Sequence, residues 1–156
     1  YLINMNKNVP LTLMGEQTPK VVIFKSESHK LCEAFNVAEG KTIIKGMAVA
    51  LDEDGNITPF TGAEGEVYLG IAITDNVNPA YRAQRNFPVE VTVMVEGFVI
   101  CNWVAATTVT AGYVTVDGTT LNDHFTKCKN TTSGAASNFI ALNSGEANEV
   151  VQVLCK

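Results

Sequence analysis

The sequence predicts a mainly β domain: a small antiparallel β-barrel or β-sandwich with an extended N-terminal arm and little helix. Three observations carry that expectation. Val, Ile and Thr supply 19, 9 and 16 of the 156 residues, and β-branched side chains sit well on a pleated strand while losing rotamer freedom in a helix. The clearest apolar runs alternate with polar residues at a period of two, the period of a half-buried strand. Gly, Asn and Asp turn signals separate these runs, and no ten-residue helical pattern lies between them.

Taken in order, residues 1–17 mix Asn4, Asn6 and Asn8 with Leu11, Leu13 and Met14 and show no period, which reads as an extended arm. Val21 to Lys25 is a short β-branched strand, and in the following LCEAF the spacing of Leu31, Ala34 and Phe35 predicts one helical turn. Residues 1–37 thus form an arm with a first strand, and residues 38–156 a single body without internal repeats or linkers. The body opens on a hairpin, with Met47, Val49 and Leu51 on one face and Asp54-Gly55-Asn56 at its turn. The strand VYLGIAITD comes next, followed by a long polar loop from Asn76 to Phe87. The strongest strand is PVEVTVMVEG, with Val89, Val91, Val93 and Val95 on the core side and Glu90, Thr92, Met94 and Glu96 on a wetter one. Gly97 then marks a bend before the strand FVICNW. Two more hairpins are expected, one turning at Asp117-Gly118 and one at Asn143-Ser144-Gly145, so that the chain ends on a strand.

Composition narrows the partners. The 11 basic and 16 acidic residues leave a net charge of −5, the wrong sign for a protein held by nucleic-acid phosphates. No apolar run approaches the roughly 18 residues of a membrane-spanning helix. Four cysteines are too sparse for a disulfide scaffold and are expected to be mostly reduced, with Cys101 and Cys155 packing as small hydrophobes in strands. The chain begins at Tyr1 rather than Met, so upstream residues are expected.

Four residue patterns invite a chemical reading, and each has a plainer one. Gly40-Lys41-Thr42 has the tail of a phosphate-binding loop, but Phe35 stands where the first glycine belongs and a strand follows where a helix is needed. An exposed turn is the better reading. Asp52, Glu53 and Asp54 beside Gly55 offer carboxylates, yet the glycine is fourth instead of sixth and Ala63 occupies the twelfth position of a calcium loop. The cluster is expected to be a solvated turn. His29-x-x-Cys32 and His124-x-x-x-Cys128 could together give four zinc ligands only if the fold brought distant pairs together, and neither is a Cys-x-x-Cys knuckle. With two histidines and no Gly-x-Ser-x-Gly elbow, no nucleophile with its base is recognisable. No catalytic, cofactor or metal site is therefore expected, and the chain is not expected to be an enzyme. Arg82 and Arg85, the only arginines, accompany Tyr81 in the long loop, a composition suited to a protein contact.

The order of the segments GMAVALDEDGNITPF, GIAIT at Gly70 to Thr74, VEVTVMVEGFV at Val89 to Val99, AGYVTVDGTTL and FIALNSGEANEVVQVLC resembles the capsid decoration, or cement, proteins of tailed bacteriophages. The resemblance covers about three quarters of the chain. The chain departs from shorter members in its long N-terminal segment, the Asn76 to Phe87 loop and the stretch from His124 to Ser137.

That resemblance implies a structural virion protein made in the host cytoplasm. It would sit on the outer capsid surface as a homotrimer, bind the major capsid protein, and stabilise the shell by bridging neighbouring capsomers. No nucleic acid, membrane or cofactor enters this picture. The candidate contacts are Leu11, Leu13, Val21, Val22, Ile23 and Phe24, as extended segments able to add to a sheet edge, together with Tyr81, Arg82 and Arg85. The competing expectation is a carbohydrate- or receptor-binding β domain of a virion appendage, which would need an open aromatic platform. Trp103, the sole tryptophan, lies in an apolar run that favours burial.

Overall fold

The computed structural model describes residues 22–24, of which the backbone is considered, and residues 30–76, 90–119 and 125–156. Eleven strands account for the regular structure, and the one helical element among these residues is a 3-10 turn at Thr132–Gly134. The strands are β1 (Val22–Phe24), β2 (Leu31–Asn36), β3 (Ala48–Leu51), β4 (Ile57–Pro59), β5 (Val67–Ala72) and β6 (Glu90–Glu96). They continue with β7 (Val99–Ala105), β8 (Gly112–Thr119), β9 (Thr126–Asn130), β10 (Phe139–Ala141) and β11 (Val150–Cys155).

Strands β7 to β11 close into a five-stranded barrel in the order β7-β11-β10-β8-β9, and β1 is added outside the ring along β7. Every pairing in the ring is antiparallel except β7 with β9, which is parallel. The exception follows from counting: strand direction cannot alternate all the way round a ring of five. Strands β2 to β6 form an antiparallel sheet in the order β2-β6-β5-β3-β4. A single parallel bridge from Val37 to Ile57 rolls it toward closure, reinforced by the Ala38 N–H donating to the Ile57 carbonyl at 3.0 Å.

The barrel core follows the period of two. Val99, Cys101, Trp103 and Ala105 of β7 point inward to meet Val114 and Val116, Cys128, Phe139 and Ala141, and Val151, Val153 and Cys155. The rolled sheet uses both faces. Ala48, Ile71 and Met94 join the barrel core, while their chain neighbours Val49, Ala72 and Val93 enter a second cluster with Val37, Ile43, Ile57 and Val91. Aromatic edges bind the two halves: Tyr68 of β5 meets Phe139 at 5.3 Å between ring centroids, and Phe139 meets Trp103 at 5.1 Å.

Several expectations change. Leu31 to Phe35 is no helical turn but most of β2, paired with β6 from Leu31↔Glu96 to Asn36↔Glu90. The edge of β6 offers this segment a six-residue ladder, whereas one isolated turn would close a single hydrogen bond for the same loss of chain freedom. The second face of β6 is not wet at its centre, because Met94 is buried against the barrel. Asp117-Gly118 is not a hairpin turn: β8 runs through it. Those two residues oppose Lys127 alone, between the pairs Val116↔Cys128 and Thr119↔Thr126, and Gly118 takes φ +82° in this bulge. The bend at Gly97 is present, with φ +131°, a backbone angle open to glycine and closed to the β-branched residues around it. The Asp-Gly hairpin joins β3 to β4 and β10 pairs with the terminal β11, as expected, but the β10–β11 connection turns at Glu146–Glu149, where the Glu149 N–H donates to the Glu146 carbonyl at 3.0 Å, while Gly145 is bridged to Val109.

Candidate functional site

Several of the groups singled out for chemistry are engaged by the fold itself. At Gly40-Lys41-Thr42, the Asn76 side chain accepts from the Ile43 N–H at 2.9 Å and donates to the Lys41 carbonyl at 3.0 Å. The amide that a phosphate-binding loop would offer is thereby taken. Asp52 Oδ1 accepts from the N–H groups of Asp54 and Asn56, at 2.9 and 2.8 Å, so this carboxylate closes its own turn. Cys128 is buried in the barrel and Cys32 packs half-buried against the same core, while His29 and His124 lie outside the described residues. Among the described residues no three His, Cys, Asp or Glu side chains gather as a metal site.

All four cysteines are free thiols. Cys101 and Cys155 are fully buried, with 4.0 Å between their sulfurs. They are diagonal neighbours on β7 and β11, since Cys101 opposes Val153 and Cys155 opposes Val99. Burial raises the Cys155 pKa, and its contact with Cys101 raises it further. Burial alone pushes Cys128 up to about 12, and it pushes the Tyr68 phenol up as well. These groups are held neutral, the opposite of what a nucleophile or metal ligand needs.

A contact surface is better supplied. The strand expected from Val21 to Lys25 is present as β1 at Val22–Phe24, and it lies along the chain's own β7 with the register Val22↔Cys101, Ile23↔Ile100 and Phe24↔Val99. The other candidate contacts, Leu11, Leu13, Val21, Tyr81, Arg82 and Arg85, lie outside the described residues. Sequence reasoning missed exposed apolar side chains at three other places, one of them Val67 at the start of β5. Leu31, at 48% exposure, and Phe98, at 43%, flank the Gly97 bend at the foot of β1. On the outer wall of the barrel Tyr113 and Leu142 are exposed, and Tyr113 heads a register that runs Tyr113, Ile140, Leu154, Ile100, Ile23 across five strands. A single sequence names these residues as apolar, but their exposure is decided by which face of a strand meets solvent. Trp103, by contrast, is 1% exposed and its indole N–H donates to the Gly46 carbonyl at 2.8 Å. The sole tryptophan therefore supplies no open platform.

A five-stranded barrel joined to a rolled sheet, with some apolar side chains exposed, defines an all-β domain. The chain matches the phage structural cement protein family (E217 gp24/Pam3 gp6) over residues 18–155, and it belongs to that family. No curated protein matches it. The family's description is of a structural role, in agreement with a fold whose thiols and turn carboxylates serve packing and hydrogen bonding.

Proposed function

We propose that the chain binds the outer surface of a phage capsid, in contact with the major capsid protein, and stabilises the assembled shell by bridging neighbouring capsomers as a homotrimer. The observation that carries this reading is the family match over residues 18–155 of a fold whose sequence order resembles decoration proteins. A cyclic oligomer presents several copies of one modest contact at once, so avidity supplies what a single small domain lacks. The proposed contacts are the N-terminal segment with Leu11, Leu13 and Val21 to Phe24, and the loop bearing Tyr81, Arg82 and Arg85. The particle's outer surface is then the working location, reached after synthesis in the host cytoplasm, and no catalysis is required.

The test is co-sedimentation of the purified chain with empty expanded capsids, beside its mass by light scattering. Pelleting with shells at a fixed ratio to capsomers, by a trimeric species, is the expected result. Failure to pellet over a range of salt and concentration overturns the capsid reading. Replacing Arg82 and Arg85 with Ser weakens pelleting at least tenfold if that loop is a contact, and leaves it unchanged if it is not.

A further inference from the structure

The outer wall of the barrel is buried at one place and bare at another. Val99, Cys101, Trp103 and Ala105 face the barrel core, so alternation turns Ile100, Asn102 and Val104 of β7 outward, and on β11 it turns Gln152 outward opposite Asn102. Side chains on an uncovered wall meet water, as Tyr113 of β8 does at 37% exposure. Ile100, Asn102, Val104 and Gln152 are instead between 2% and 8% exposed. Ile100 and Val104 belong to neither core cluster, and among the described residues Gln152 Nε2 has no hydrogen-bond partner. Exposure returns with distance from β1: Leu154 and Ile140, in the row that leads from Ile100 to Tyr113, are half-buried.

We propose that this part of the wall is the docking site of residues 15–20 of the same chain, which cross β7 onto β11 as a strap. The path follows from β1. Val22 opposes Cys101 and β1 runs antiparallel to β7, so the chain arrives at β1 from the direction of Asn102. Beyond Trp103 the same side of β7 is taken by β9, whose Lys127 and Cys128 pair with Val104 and Ala105. The preceding residues therefore cannot continue along that edge and must leave the plane of the sheet. Its inner side is filled by the barrel core. The outer side remains, and it is the side on which Ile100, Asn102, Val104 and Gln152 are buried. Six extended residues reach at most roughly 22 Å, whereas Ile100 to Val104 measures roughly 14 Å and β11 lies about 4.8 Å from β7. The strap's backbone carbonyls, with the side-chain oxygens of Glu16, Gln17 and Thr18, are the acceptors that a buried amide such as Gln152 Nε2 requires. Pro19, the Thr18 methyl group and the methylene stem of Lys20 supply apolar contact to Ile100 and Val104. Leu11 and Leu13 precede the strap, so it stands whether or not they meet a shell.

Nuclear Overhauser contacts from the Ile100 and Val104 methyl groups test this in the full chain. They are expected to reach Thr18 and Pro19, and to remain within one chain when labelled and unlabelled protein are mixed. Contacts that bypass residues 15–20, contacts between chains, or none beyond the barrel overturn the proposal. Alkylation gives a second reading, with the modified position assigned by peptide mass. A thiol introduced by Gln152→Cys is expected to react at least a hundredfold more slowly than one introduced at the exposed turn by Glu53→Cys. Replacing residues 15–20 by Gly and Ser at the same length should then raise the rate at position 152 at least tenfold, with the circular dichroism spectrum unchanged. A fast reaction at position 152 with the strap unaltered, or a rate that the replacement leaves where it was, overturns the proposal equally, whatever the outcome of capsid pelleting. Should the replacement unfold the chain, the Overhauser contacts decide.

Discussion

Single positions show how little room the joined cores leave. Gly70 of β5 packs so closely on β6 that a Cβ there would run into the Met94 carbonyl. Backbone cannot retreat as a flexible side-chain end can, so Gly70→Ala is expected to lose about 3 kcal/mol of stability. Urea denaturation checks this, and a loss below about 0.5 kcal/mol would mean that β5 and β6 can separate locally. The buried thiols make a second expectation, in pH. Cys128 ordinarily titrates near 9.0 and is pushed up to about 12 by burial. A raised folded-state value means that the stabilisation is complete below pH 9 and is lost as pH climbs through the folded value. Cys155 and Tyr68 shift in the same direction, again chiefly by burial. The thermal midpoint should stay level up to about pH 9 and fall above it, and Cys128→Ala should shallow the fall. A midpoint level to pH 11 would contradict the burial of these groups. Cys101 and Cys155 should stay reduced under mild oxidants, because diagonal positions on paired strands lie roughly 7–8 Å apart, beyond comfortable disulfide reach. Intact mass after treatment with oxidised glutathione reports this directly.

Among the elements, Trp103 carries the tie between the barrel and the turn that precedes β3. Its indole N–H reaches the Gly46 carbonyl at 2.8 Å, and its ring packs on Phe139. Trp103→Phe keeps an aromatic ring but leaves that carbonyl without its donor and opens a void. A loss of about 2–4 kcal/mol in urea denaturation is expected, and a loss near zero would place the indole outside the core. Strand existence was legible in the residues because β-branched alternation and Asp-Gly punctuation are local signals: β3, β5, β6, β7 and β11 all fall where these point. β2 was misread because Leu31, Ala34 and Phe35 have helical spacing over only five residues. Its pairing with β6 is a contact at long sequence separation that no local pattern encodes. The Asp117-Gly118 bulge was misread for a related reason. The dipeptide supplies positive φ equally to a hairpin turn or to a bulge, and the choice rests on Lys127 across the ladder. Glu66 escaped notice altogether: its carboxylate accepts from Thr61 and from the Ala63 N–H at 2.7 Å. That holds the loop whose Thr61 carbonyl accepts from the Gly118 N–H of the barrel. Of the candidate contacts, only β1 was legible and also described, and the exposed Leu31 and Phe98 beside it became visible once strand faces were assigned.

At the scale of the whole molecule, Tyr68, Ile71 and Met94 of the rolled sheet pack into the barrel core beside Phe139 and join sheet to barrel. If the chain binds the assembled shell and not its dissociated subunits, it stabilises the shell by mass action, by an amount fixed by its free concentration relative to its dissociation constant. At one hundred times that constant the gain is about 2.7 kcal/mol per independent site. The expected measurement is the temperature at which empty expanded capsids open, followed by light scattering as protein is added. The opening temperature should rise while sites fill and continue to rise with the logarithm of free protein beyond saturation. A protein that merely decorates, with equal affinity for intact shell and loose capsomers, would pellet with capsids and still leave the opening temperature where it was. That outcome would retain the capsid as partner and remove the cementing role, which makes the opening temperature, more than pelleting, the measurement that tests stabilisation.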